Sequence, residues 1–165
     1  MVTWVRGHFK NVHGTVEFNP EDPHQSSVEV VIQAKELWTG DLDRDSHLKS
    51  ADFLDVENHP TITFRSTRVE QMGCYDYRVT GDLLIHGVTR SVALDVSYLG
   101  QWRTPWWEAG MDKGPVSRAG FLATTRINRH DFGIGWNGKL ERDGVVVSPE
   151  IVITVDAEAI LEKAY

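Results

Sequence analysis

Residues 81–96 read GDLLIHGVTRSVALDV. Two alternating apolar runs flank a His-Gly pair. On one side Leu83 and Ile85 alternate with polar residues; on the other Val92, Leu94 and Val96 share a face. A period of two sends successive side chains to opposite faces of a strand, one dry and one wet. Gly87 supplies a backbone conformation closed to other residues. The stretch therefore reads as a hairpin whose first strand ends at His86. By parity His86 falls with Asp76, Arg78, Thr80 and Asp82, the polar set. It is expected to be a hairpin-end histidine bonded to nearby backbone, rather than a catalytic base or a metal ligand.

The same period runs through much of the chain. In SVEVVIQA, Val28, Val30, Ile32 and Ala34 fall on one face and Glu29 and Gln33 on the other. Tyr75, Tyr77 and Val79 precede Leu83 and Ile85 on the apolar side of their strand, Tyr98 continues the face of Val96, and EIVITVDAEA groups Ile151, Ile153, Val155 and Ala157. Further strands are expected near 2–9, 12–18, 61–70 and 117–129. Long antiparallel strands joined by short turns predict an all-β sandwich or closed barrel, closure being the arrangement that removes exposed edges. One segment, residues 43–55, reads as a helix, with Asp45 or Ser46 as its cap and Leu48, Ala51 and Phe53 on its apolar side. Too short to stand alone, it is expected to close one end of the barrel. Residues 100–116, GQWRTPWWEAGMDKGPV, mix Trp102, Trp106 and Trp107 with prolines and glycines. They read as a long loop, either packed on the barrel or forming an aromatic lid at a cavity mouth.

The 165 residues fit one domain, taken as 1–165. The net charge is −7 and the 17 Lys and Arg are scattered, which argues against a nucleic-acid partner and against docking on anionic membrane. Cys74 stands alone and cannot form an internal disulfide. No apolar run approaches the length of a membrane span, so stable membrane insertion is not expected. No leader is visible, but an earlier segment could precede the opening strand-like sequence, which leaves cytoplasm and periplasm or secretion both open.

Catalytic signatures are missing from the pattern: no HExxH, GxSxG, phosphate-binding loop or GxGxxG occurs. The seven histidines, His8, His13, His24, His47, His59, His86 and His130, include no helical i, i+4 pair, so no metal site is expected. His130 and Asp131 are adjacent in RHDFG, and capping and turn hydrogen bonds are the expected role of this segment.

Four stretches in series carry a resemblance that covers nearly the whole chain. They are TGDLDRDSHLKSADFLDVENHPTITFRST, YRVTGDLLIHGVTRSVALDV, RAGFLATTRINRHDFGIGWN and SPEIVITVDAEAI. Together they resemble the YceI-like family, described as polyisoprenoid-binding. The opening MVTWVRGHF is similar to that family's second strand, with Gly7 and Phe9 as its Gly-x-Phe, so the family's first strand is not expected here. The Trp-rich stretch also departs from the pattern. The resemblance implies a lipocalin-like antiparallel β-barrel with one short helix and a long apolar tunnel. It also implies a bound polyisoprenoid or isoprenoid quinone in place of any catalytic cofactor. Parity then nominates Phe9, Val28, Val30, Ile32, Phe64, Leu83, Ile85, Phe121 and Ile127 as lining, Leu48 and Phe53 at the helical end, and Trp106 and Trp107 as a gate. The leading reading is a non-enzymatic protein that sequesters or carries an apolar lipid. The rivals are an enzyme acting on the lipid head group, with His86, Arg129, His130 or Asp131 nearby, and a protein-interaction module with a filled barrel. A homodimer is compatible with each.

Overall fold

The computed structural model describes residues 4–138 and 146–161. Among these residues nine strands and one α-helix follow in order: β1 His8–Phe9, β2 Val12–Glu17, β3 Ser27–Gln33, β4 Leu37–Trp38, α1 Leu42–Lys49, β5 Thr61–Gln71, β6 Asp76–Ile85, β7 Val88–Glu108, β8 Met111–Asn128 and β9 Glu150–Ile160. Seven of them form one antiparallel sheet in the order β2-β3-β5-β6-β7-β8-β9, and β1 pairs with β4 apart from it. The all-β antiparallel architecture with one short helix stands. The sheet curls into a half-barrel whose outer strands, β2 and β9, do not pair with each other.

Alternation decides which face is buried. Along β6 the even positions look outward while Tyr77, Val79, Leu83 and Ile85 are all at most 7% exposed. Cross-strand register carries that face through the sheet: Val30 lies opposite Phe64 and Phe64 opposite Leu83, while Tyr77, Val96, Ala123 and Val155 follow one another across four strands. The convex face is wet. Its exposed ion pairs, Glu29–Arg65 at 2.8 Å and Arg78–Asp95 at 2.9 Å, contribute little stability but mark the polar side.

Several expectations need correction. The first strand is only His8–Phe9, not 2–9; residues 4–7 are outside any strand and residues 1–3 lie outside the described residues. The helix is Leu42–Lys49 rather than 43–55, and its cap is Asp41, whose side chain accepts from the Arg44 amide at 3.0 Å. Asp45 is not available for capping because it turns inward: it is 4% exposed and accepts from the Thr39 amide at 2.9 Å. Ser50 ends the helix, and turn hydrogen bonds from Phe53 and Asp55 to the Ser50 carbonyl follow it, with Ala51 exposed. Tyr75 is 65% exposed and precedes β6 instead of sharing its buried face. On β9, Ile151 and Val155 remain 38% and 37% exposed, because an edge strand has a neighbour on one side only.

The largest correction concerns residues 100–116. They are strand, not loop: β7 and β8 run on past the rest of the sheet as a two-stranded ribbon that turns at Ala109 and Gly110, both with positive φ. β6 stops pairing with β7 at Ser97, and β9 stops pairing with β8 at Arg118. The prolines that suggested a loop face each other as the pair Pro105↔Pro115. Two residues without N–H groups cannot form a hydrogen-bonded antiparallel pair, so they occupy a non-hydrogen-bonded one and interrupt no ladder bond.

Candidate functional site

The inward face of the half-barrel is a continuous apolar trough. Phe53, Ile62, Phe64, Val69, Tyr77, Val79, Leu83, Ile85, Ile127, Phe132 and Ile134 form its buried floor. Phe18, Val28, Val30, Ile32, Val92, Leu94, Val96 and Tyr98 pack against that floor while staying partly open. From Tyr77 to Ile85 the trough runs eight residues of strand, about 26 Å at the usual rise. Gly81 gives it room: a Cβ there would lie 2.5 Å from Phe64 Cζ, so the Phe64 ring crosses the strand where only glycine leaves space.

Aromatic clusters stand along this face. Phe18 meets Tyr98, Tyr77 and Phe121 with ring centroids 5.1, 5.6 and 5.7 Å apart. Phe53, His47 and Trp136 form a second cluster at 4.6–5.2 Å. Burial first, and the neighbouring Tyr98 second, push the Tyr77 hydroxyl above its ordinary pKa. The Tyr77 phenol is therefore held in its neutral form on this face.

Of the residues nominated from sequence, Phe53, Phe64, Leu83, Ile85 and Ile127 are buried in the trough floor, and Phe9, Val28, Val30, Ile32 and Leu48 pack beside it. Phe121 joins the Phe18 cluster. Trp106 and Trp107 are instead on the ribbon, Trp107 64% exposed, opposite Gly114 and Asp112. Parity missed Phe132, Ile134 and Trp136, which follow β8 in a 3₁₀ turn and an irregular segment where no period exists to read.

The groups nominated for an enzymatic role divide. Arg129 is 3% exposed and serves the fold: its guanidinium donates to the carbonyls of Ile134 and Trp136, both at 2.8 Å, of Ser148 at 3.0 Å and of Val147 at 3.3 Å. Burial lowers its pKa from the ordinary value. His130 and Asp131 are exposed in the turn, which Asn128 caps by accepting from the His130 amide at 3.0 Å. His86 sits at the β6–β7 hairpin tip with φ +52, its Nδ1 3.3 Å from the Phe132 carbonyl oxygen. That partner is backbone, as expected, but it comes from 46 residues away rather than from the hairpin itself.

Known proteins share this architecture. A crystal structure of a Campylobacter jejuni YceI protein superimposes with a TM-score of 0.80 at 24% identity, covering 99% of this chain and 88% of that one. Burkholderia cenocepacia BcnA gives 0.78 at 24% identity, with 96% and 90% covered. A UPF0312 protein of Pseudomonas putida is 38% identical over 132 residues, which is 80% of this chain but 65% of the relative's own length. Another, from Azotobacter vinelandii, is 32% identical over 158 residues, 96% of this chain and 75% of the relative. The family model for the YceI-like domain matches residues 1–159, and the chain belongs to that family.

Proposed function

We propose that the protein binds a long apolar lipid of the isoprenoid class, a polyprenyl chain or isoprenoid quinone, along the concave face, and sequesters or carries it without chemical change. One observation carries this reading. Among the described residues Phe132 is the only large side chain less than 2% exposed. A filled interior of this size would bury many. Here the other floor residues keep 5–9% of their surface and the wall residues more, so an apolar face assembled from seven strands is left partly uncovered. A chain of methyl and methylene groups is the chemistry that such a face accepts. Each buried CH₂ is worth ~0.8 kcal/mol, so a five-carbon isoprene unit contributes roughly 3–4 kcal/mol before ordering costs. A few units suffice for tight binding with no reactive group.

The test is organic extraction of the purified protein followed by mass spectrometry, together with titration of the delipidated protein with a prenyl quinone. A co-purifying prenyl lipid and saturable binding are expected. Absence of both would overturn the reading.

A further inference from the structure

We propose that Asp55, His59 and His86 form a binding site for a divalent transition-metal ion at the hairpin end of the trough. One ligand atom from each of the three lies within 4.8 Å of the others, and all three residues are half-buried. Zinc–ligand bonds of ~2.0–2.2 Å place donors roughly 3.3–3.5 Å apart on a tetrahedral centre, so small side-chain rotations close the set. Two imidazoles and a carboxylate suit zinc or a similar borderline ion, and three protein ligands leave a coordination position open.

The surroundings hold these groups in place. The His59 amide donates to the Asp55 carbonyl at 2.8 Å, so the two residues stand one helical turn apart on the same side. Asn58 Nδ2 donates to both carboxylate oxygens of Asp55, at 3.1 and 2.9 Å, and fixes its orientation. The His86 and His59 rings lie 4.9 Å apart. A carbonyl can only accept, so the contact between His86 Nδ1 and the Phe132 oxygen puts the proton on Nδ1 and leaves the Nε2 lone pair for a metal. Gly87 completes the fit: a Cβ there would lie 2.6 Å from His59 Cε1. Four non-glycine residues among those described have positive φ, Asn11, Asp55, His86 and Ala109, and two of the four belong to this trio. Strain of this kind persists where the surroundings impose it, and it concentrates at ligand sites.

The experiment is calorimetric titration of the full, tag-free chain with Zn²⁺, followed by Co²⁺ absorption spectra. The variants are His86→Asn and Asp55→Asn, which keep a residue tolerant of positive φ, and His59→Gln. One-to-one saturable binding is expected in the wild type, weakened at least ~100-fold in each variant, since even outer partners of a metal ligand cost 10–100-fold. His130→Asn should bind as the wild type does. Absence of saturable binding in the wild type, or unchanged binding in His59→Gln and His86→Asn, would overturn the proposal. Should those variants fail to fold by near-ultraviolet circular dichroism, the labelled wild type decides. Zn²⁺ must shift the imidazole resonances of His59 and His86, and shifts confined to other histidines would overturn the proposal.

Discussion

Leu94→Asp separates a lipid-binding trough from an ordinary core. Leu94 lies on β7 opposite Val79, half-buried against the trough floor. Full burial of a leucine is worth about 1.5–3 kcal/mol, so a half-buried one loses about 1 kcal/mol. In a chain of this size that lowers Tm by about 2–4 °C, and the protein stays folded because the new carboxylate can reach water through the open trough. With a lipid in place that water is gone. An unpaired carboxylate against hydrocarbon costs several kcal/mol, and ~2.8 kcal/mol is already a hundredfold in Kd. Ala93→Asp is the matched control. It adds the same charge one residue away, at an exposed position on the convex face, where surface changes stay within about 0.5 kcal/mol. The assay is titration with a prenyl quinone followed by tryptophan quenching, with melting curves for both variants. Leu94→Asp should lose at least about a hundredfold in affinity and Ala93→Asp almost nothing. Equal affinities in the two variants would refute the assignment of ligand to the concave face.

Arg129→Met should cost at least about 3 kcal/mol, roughly 1 kcal/mol for each of its three shortest bonds to buried carbonyls, and lower Tm by about 6–12 °C in a thermal melt. Gly87→Ala places a methyl 2.6 Å from His59 at φ +72 and should destabilise by about 1–2 kcal/mol or more in urea unfolding, whereas Gly110→Ala meets no atom within 4 Å and should cost only the backbone penalty. The raised Tyr77 pKa means that the folded state holds the phenolic proton more tightly than the unfolded one. Its contribution is therefore complete below the ordinary tyrosine pKa of about 10 and fades as pH rises through the folded value. Ultraviolet difference titration should show one phenol ionising above the ordinary tyrosine range, and Tyr77→Phe should remove that phase.

Alternation made the sheet legible, because β3, β5, β6, β7 and β8 each have neighbours on both sides and one dry face. The period fails where that condition fails. β9 keeps an apolar pattern yet stays exposed, since its outer side has no partner strand among the described residues. The ribbon at 99–117 was hidden because Pro and Gly normally mark turns, and only the pairing of Pro105 with Pro115 shows how a ladder accommodates both. For the candidate site, parity could place Leu83, Ile85, Phe64 and Ile127 but not Phe132, Ile134 or Trp136, which lie beyond any regular element. Two of the three residues of the Asp55–His59–His86 cluster were within reach, since DVENH sets an acid and a histidine four apart. That spacing is not a pair of histidines, and His86 arrives from a hairpin 27 residues later that no local spacing could connect.

A free two-stranded ribbon carrying Trp102, Trp107 and Met111, each more than half exposed, invites other chains to add strands along it. Pro105 and Pro115 oppose that. In a non-hydrogen-bonded pair both backbone nitrogens point away from the partner strand, so each proline removes an outward N–H donor from its own edge of the ribbon. An incoming strand would meet a gap at the same level on either side and could not zip past it without losing a hydrogen bond. The two residues that disguise the ribbon in the sequence are thus the ones that let an apolar arm project from the sheet without seeding aggregation.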